Sequence, residues 1–233
     1  GHDAEVDWVT EAALARMRAA GATIVEVRLP RWLIDAKGDF YSAVRYPEFA
    51  SQIATYLATL SPGYPRSLAE LSARADSIVA PRPDGAGPNA MRWSLFKREL
   101  GSGTLSDPRY TAVRDHALPL VRAHLDGLFA AQRLDAIVYP TGSRRPDLIS
   151  APPEPPGGGA ASGSNLANLS GFPELVVPAG FTTDQLPVGV SFLGPAFSEG
   201  TLLGLGFAFE QRTRARRLPR FTPPLPGEKL IIR

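Results

Sequence analysis

Apolar side chains recur every three or four residues in several stretches of the chain. This spacing predicts a helix over residues 6–20, which Gly21 would end. The same periodicity predicts five further helices, over residues 46–60, 67–79, 91–100, 107–133 and 199–212. Pro47 is expected in the first turn of its helix, because a proline there costs no hydrogen bond. Pro119 is expected inside the long helix and should kink it.

Strand patterns alternate with these helices. The segment TIVEVRL, residues 23–29, alternates apolar and polar side chains and predicts a strand closed by Pro30. The apolar run DAIVY, residues 135–139, is typical of a strand buried on both faces. Two more apolar runs, at residues 174–177 and 188–193, flank a polar turn and predict a hairpin. A short helix is expected at residues 165–169. Alternating helices and strands predict an α/β fold.

Composition supports one soluble domain. The chain has 233 residues, of which 44% are hydrophobic, enough for a sizeable core. This length fits one large or two small domains, and we expect a single domain over residues 1–233. The net charge of +2 gives no strong electrostatic case for binding a nucleic acid or a membrane, and neither partner is expected. Residues 144–164 are rich in proline and glycine and are expected to form a mobile loop. Gly1 and His2 resemble the remnant of an expression tag. A cytoplasmic location is favoured.

The residue types limit the possible chemistry. The chain has no cysteine, which excludes disulfides, thiol nucleophiles and cysteine-bound zinc. His116 and His124 are two helical turns apart, too far to share one metal ion, so no metal site is expected. Ser106, Asp115 and His116 could suggest a Ser–His–Asp triad, but neighbouring residues on a helix point about 100° apart. The arginines at 212–217 could bind phosphate, yet such clusters more often end a helix in solvent.

Four ordered motifs lie between residues 134 and 211. They are DAIVYPT at 135–141, NLSGFP at 168–173 leading to VPAG at 177–180, LPVGVSFLG at 186–194, and AFEQ at 208–211. In this order and at this spacing they resemble the C-terminal part of amidase-signature enzymes. Residues 3–30 resemble the helix–strand unit that follows the catalytic region in that family. Residues 40–60 more faintly resemble the branch that includes bacterial peptide amidases.

The resemblance implies the C-terminal portion of a mixed-sheet α/β/α sandwich. It also implies hydrolysis of carboxylic amides by a Ser–Ser–Lys triad, with backbone N–H groups that stabilise the oxyanion. The family's GGSSGGS-like signature and its preceding lysine do not occur in this sequence, so we expect no catalytic residue here. Ser162 and Ser164 lie in GGGAASGS, which lacks the Ser-Gly-Gly-Ser core and occupies the place of a rim loop. Lys97 and Lys229 stand in the wrong sequence context. No cofactor is expected.

Substrate contacts are expected at two places. Tyr139, Thr141 and Ser143 follow a buried strand, where α/β sheets place ligands. The resemblance adds Asn165 and Asn168, in a segment that would form a pocket wall. An ordinary polar loop is the alternative for the first group. The expected substrate is a small amide, and the isolated chain is expected to be inactive.

The remaining expectations concern partners. Without the family's N-terminal half, apolar strand edges would be uncovered, so we expect self-association or pairing with that half. The alternative is a non-catalytic module, derived from an amidase, that binds a ligand or a partner. A fragment with no independent role is a further possibility.

Overall fold

The computed structural model describes residues 3–78, 90–146 and 165–218. These residues form two compact units. The expectation of a single domain stays a prediction. Gly1, His2 and all of the expected loop beyond residue 146 lie outside the described residues. The elements in chain order are α1 Ala4–Ala19, α2 Arg31–Leu57, α3 Leu68–Ile78, α4 Ala90–Leu100, α5 Pro108–Ala112, a π-helical turn Val113–Ala117, α6 Leu118–Gln132, β1 Ile137–Pro140, α7 Asn165–Ser170, β2 Glu174–Phe181, β3 Pro187–Leu193 and α8 Glu199–Thr213.

The first unit contains the sheet and comprises residues 3–26, 136–146 and 173–218. Its three strands are antiparallel in the order β1-β3-β2. β2 and β3 form the predicted hairpin, with a register shift between Pro178 and Gly180. In β3, Ser191 stands between Tyr139 of β1 and Val176 of β2. Because side chains alternate between faces, these three share one face of the sheet.

The opposite face of the sheet carries the core of the first unit. Helices α1 and α8 cover it, and Phe192 packs edge-on against Phe209 at 6.1 Å between ring centroids. The buried members of this cluster are Ala13, Met17, Val177, Val190, Phe192, Leu202 and Phe209. Gly206 lets α8 approach β2 closely, since a Cβ there would clash with the side chain of Leu175. The face with Tyr139 and Ser191 is therefore the one turned away from α1 and α8.

The second unit is helical and comprises residues 27–78, 90–135 and 165–172. In it α2 contacts α4 and α7, and α6 also contacts α7. Arg122 Nε of α6 donates to the carbonyl oxygen of Ser170 at 2.8 Å, which anchors the end of α7. Phe129 and Phe172 pack with ring centroids 6.2 Å apart. Buried residues of this unit include Leu33, Leu57, Tyr110, Val121, Leu125, Leu166 and Leu169.

Two sequence predictions are wrong. Residues 23–29 form no strand, and within the described part of the chain they pair with none. Their alternation has another cause, since Ile24 packs on the core while Val25 is 46% exposed. The second helix begins at Arg31, not near residue 46, and runs through Pro47. Pro47 is buried, so packing offsets the hydrogen bond that the proline removes.

The long helix predicted over residues 107–133 is confirmed in extent, but it is not a uniform α-helix. Pro108 opens it, as expected of a proline at the first helical position. Five residues before α6 adopt π-helical geometry, in which Leu118 N donates to the carbonyl oxygen of Val113. Pro119 lies two residues after this turn and cannot donate a hydrogen bond. A kink was expected at Pro119, and the structure has a π-helical turn next to it.

Candidate functional site

The polar sheet face comprises Tyr139, Thr141, Glu174 and Ser191 in the first unit. Thr141 lies one residue beyond β1, where its N–H donates to the carbonyl oxygen of Gly189 at 3.0 Å. Its Oγ1 is 2.9 Å from Ser191 Oγ, and Ser191 is fully buried. The pairing continues the β1 register and fixes the Thr141 side chain on this face. The structure therefore brings together two of the three residues expected at the end of this strand, together with a serine that sequence reasoning missed.

Tyr139 and Glu174 are partly buried members of the polar sheet face. Tyr139 Oη and Glu174 Oε1 are both shielded from solvent, and neither has a hydrogen-bond partner among the described residues. Burial, and then the nearby charge of Glu174, raise the pKa of Tyr139 far above its ordinary value. The phenol is therefore neutral and can act as a hydrogen-bond donor, not as a base. Glu174 was also missed, although a carboxylate at the start of an apolar strand is a visible signal.

Ser143, the third expected residue of this group, lies in the short irregular segment after β1. The segment is anchored on both sides of it. Thr141 holds one side, and Arg145 holds the other by donating from its backbone N and from Nε to Asp3 Oδ2, at 3.0 and 2.9 Å. Arg145 Nη1 also lies 3.4 Å from Asp184 Oδ2 in the turn between β2 and β3. These contacts give Ser143 a fixed backbone at the end of the strand.

Asn165 and Asn168 belong to the second unit, on α7. Asn165 is the first residue of that helix. Asn168 is exposed and lines a cavity of about 380 Å³. Ser170 Oγ donates to the carbonyl oxygen of Leu166 at 2.7 Å, which fixes the helix from within. The other residues around the cavity are Tyr41, Val44, Arg45, Glu48, Phe49, Gln52, Leu118 and Leu169.

The Ser–His–Asp alternative is not assembled. Ser106 Oγ is 2.9 Å from Thr104 Oγ1, and Asp115 binds its neighbour Arg114 at 2.6 and 2.8 Å. The hydrogen bond from Arg114 lowers the pKa of Asp115. Ser106 and Asp115 thus each have a local partner that explains their positions.

The remaining candidate residues either have structural roles or fall outside the described residues. Lys97 Nζ contacts Asp76 Oδ1 at 3.0 Å and lies over the Trp93 ring. Arg217 donates to Gln185 at 3.0 Å and stacks on Phe181, so part of the arginine cluster serves packing. The remaining three, Ser162, Ser164 and Lys229, fall outside the described residues.

Two features are absent from the described residues. They contain no group of three or more His, Cys, Asp or Glu side chains placed to hold a metal ion. None of the described helices combines the length and apolar character needed to cross a membrane.

Comparison with known proteins establishes the family. The model of the Amidase family matches residues 1–203. A glutamyl-tRNA(Gln) amidotransferase subunit of Desulforudis audaxviator is 31% identical over 217 residues, which are 91% of this chain and 42% of the relative. The native peptide amidase of Stenotrophomonas maltophilia superposes with a TM-score of 0.73 at 31% identity, over 92% of this chain and 41% of that chain. The chain therefore belongs to the amidase family, as its motifs indicated.

A more distant structure agrees at the level of the fold. The corresponding glutamyl-tRNA(Gln) amidotransferase subunit from Thermotoga maritima superposes with a TM-score of 0.55 at 22% identity. The α/β architecture is that of amidase-signature enzymes. The chain spans only about two fifths of the relatives that it matches, which are covered to 42% and 41% of their length.

Proposed function

We propose that this chain is the C-terminal part of an enzyme that hydrolyses carboxylic amides other than peptide bonds, releasing an acid and ammonia or an amine. The family match over residues 1–203 carries this proposal. The names of two relatives, a peptide amidase and a glutamyl-tRNA(Gln) amidotransferase subunit, both denote chemistry at amide groups. The substrate proposed here is accordingly a small molecule with a carboxamide group.

The proposed role of the chain is to supply groups that contact the substrate, and each unit is considered by itself. In the first unit, Tyr139, Thr141 and Ser143 would contribute hydroxyl groups. In the second unit, Asn165 and Asn168 are the proposed substrate contacts. Such groups hydrogen-bond the C=O and N–H of an amide without changing protonation state. None of them is a base that could activate a serine. The chain alone is therefore proposed to be inactive, and the nucleophile would come from a segment that it does not contain.

The proposed enzyme would form by pairing of this chain with the N-terminal half of the family fold, or the chain would associate with copies of itself. Exposed apolar side chains of the first unit support this. Leu203 and Phe207 lie one turn apart on α8 and are 62% and 65% exposed, and Trp8 of α1 is 61% exposed. Large exposed apolar side chains on neighbouring turns are typical of contact surfaces.

A non-catalytic binding module is the second candidate function. The cavity of the second unit favours it, because all of its lining residues belong to that unit and need no other segment. Ligand binding without turnover, in the chain or in any longer protein that contains it, would support the module.

A chimaera tests the proposed function. This chain would replace the matched segment of the Stenotrophomonas maltophilia peptide amidase, and circular dichroism would establish that the product unfolds cooperatively. We expect ammonia release from simple amides. Thr141→Val should raise KM about fivefold with kcat little changed, which corresponds to one lost hydrogen bond. Thr55→Val, at an exposed position of α2, is the matched control. A folded chimaera that hydrolyses no amide, beside an active parent enzyme, would count against the proposal.

A further inference from the structure

Helix α8 is apolar on two sides, but the described residues cover only one of them. Leu202, Gly206 and Phe209 are buried on the side that faces the sheet. Leu203 and Phe207, one turn apart on the outer side, are 62% and 65% exposed. A helix that is apolar all round is normally covered all round. The outer side of α8 is therefore a candidate contact surface.

Two glycines lie beside these apolar side chains. Gly200 and Gly204 are exposed and four residues apart, so they are neighbours on one face of α8. A Cβ at either position would meet no atom within 4 Å, so no contact inside the chain requires a glycine there. Glycine within a helix is unfavourable relative to alanine. What the two glycines provide is a gap beside Phe207, over which a second helix can approach closely.

The two ends of α8 carry opposite charges. Glu199 is its first residue, and Arg212 lies in its last turn. Both side chains are exposed, and within the described part of the chain neither makes an ion pair or a hydrogen bond. A second copy of α8 that ran antiparallel would bring the Glu199 end beside the Arg212 end at both ends of the contact. A parallel copy would bring like charges together, which disfavours it.

We propose that α8 is the contact surface of a two-fold dimer, in which the α8 helices of two copies of this chain pack antiparallel. Phe207 of each copy would lie over the gap at Gly204 of the other, because two-fold symmetry makes every contact occur twice. The same register places Gly200 opposite Gln211, and Glu199 level with Arg212. The surface is thus complementary to itself in shape and in charge, which favours a second copy over an unlike partner. This dimer is independent of the proposed amidase reaction.

Cysteine cross-linking of the full chain tests the arrangement. The chain has no cysteine of its own, so each introduced thiol reports on one position. In the proposed dimer Gly200 faces Gln211, whereas the two Gly200 positions lie about 16 Å apart along the helix axis, beyond the reach of a disulfide. On mild oxidation, a mixture of Gly200→Cys and Gln211→Cys chains should therefore give about fivefold more disulfide-linked dimer than either variant alone.

Tyr64→Cys is the control for cross-linking by random collision, since it places an exposed thiol in the second unit. Circular dichroism would show that each cysteine variant is folded. A mixture that cross-links no more than this control would overturn the proposal. Cross-linking of Gly200→Cys with itself above the control would mean that the helices run parallel, and would overturn it as well.

An exchange of charges tests the two ends of the contact. Glu199→Arg and Arg212→Glu should each raise the dimer Kd about fivefold at low salt, because each places like charges at both ends. An equimolar mixture of the two variants should return to the Kd of the unaltered chain, since every end again joins unlike charges. Glu11→Arg makes the same change in net charge on α1 and should leave the Kd unchanged.

Analytical ultracentrifugation measures these dissociation constants. Single variants that dimerise as well as the unaltered chain, or a mixture that does not recover, would reject the antiparallel contact. The outcome is separable from that of the proposed hydrolase. An active chimaera, beside a chain that gives only background cross-linking, would reject this dimer and leave the proposed function standing.

Discussion

Asp3 connects the start of α1 to two distant parts of the first unit. Its Oδ1 accepts from Glu5 N at 3.0 Å and caps the helix, while its Oδ2 receives Arg145. The backbone N–H of Arg145, and then its side chain, lower the pKa of Asp3 from 3.8 to about 2. Glu5 extends the connection by accepting from Thr183 N and Oγ1, each at 2.8 Å. A single carboxylate thus helps to hold the segment that carries Ser143.

This network makes stability depend on acid pH. The unfolded chain protonates Asp3 near 3.8 and the folded chain near 2, so its contribution is complete above about pH 4 and is lost between about pH 4 and pH 2. Asp3→Asn should therefore be less stable than the unaltered chain at neutral pH, with the difference shrinking as the pH falls through that window. Urea unfolding at several pH values measures this. Glu11→Gln, at an exposed position of α1, is the control, and its free energy of unfolding should follow that of the unaltered chain at every pH. If the stability lost in Asp3→Asn were the same at every pH, the linkage would be refuted.

Single residues also mark the limit of sequence-based prediction of the site. The positions of Tyr139, Thr141 and Asn168 could be proposed from motifs and from the end of a strand. The residues beside them could not be predicted. Strand register places Glu174 and Ser191 beside Tyr139 and Thr141. Helix packing places Arg45 in the cavity that Asn168 lines. Whether the proposed residues contact a substrate stays a prediction.

At the scale of elements, α8 contains a matched pair of glycines. A Cβ at Gly204 would meet no atom within 4 Å, whereas a Cβ at Gly206 would press on Leu175 and lie 3.3 Å from Val177 Cγ1. Gly204→Ala should raise the free energy of unfolding by about 0.5–1 kcal/mol through helix propensity. Gly206→Ala should lower it by about 1–3 kcal/mol through overpacking. Urea denaturation compares them, and a shift of both variants in the same direction would contradict the packing of α8 on β2.

Most elements could be predicted because their apolar spacing coincides with their buried faces. The hairpin, β1, α7 and α8 follow this rule, and Ser67 Oγ accepts from Glu70 N at 3.1 Å as the expected cap of α3. The two wrong predictions concern segments whose secondary structure is determined by tertiary contacts. Residues 23–29 have a strand pattern but no strand beside them in the described chain, and Pro47 lies in a helix that buries it. Local propensity cannot show either outcome.

At the scale of the whole molecule, exposed apolar side chains on α8 lead to a prediction about assembly. Leu203 and Phe207 are 62% and 65% exposed, so light scattering of the purified chain should show a dimer or a larger species. Replacing both by serine should shift the population towards the monomer. Tyr64→Ser, at a position 57% exposed in the second unit, is the control. A monomer at micromolar concentrations of the unaltered chain would contradict this prediction.

The central claim is that an amidase-family chain of this extent holds substrate-contacting residues but no catalytic group of its own. Ammonia release by the purified chain, measured against aliphatic, aryl and peptide C-terminal amides beside a heat-denatured control, tests it most directly. The account predicts release no greater than in the control. Release well above the control would contradict it and would mean that a nucleophile lies within these residues, with Ser162 and Ser164 the first to be replaced by alanine.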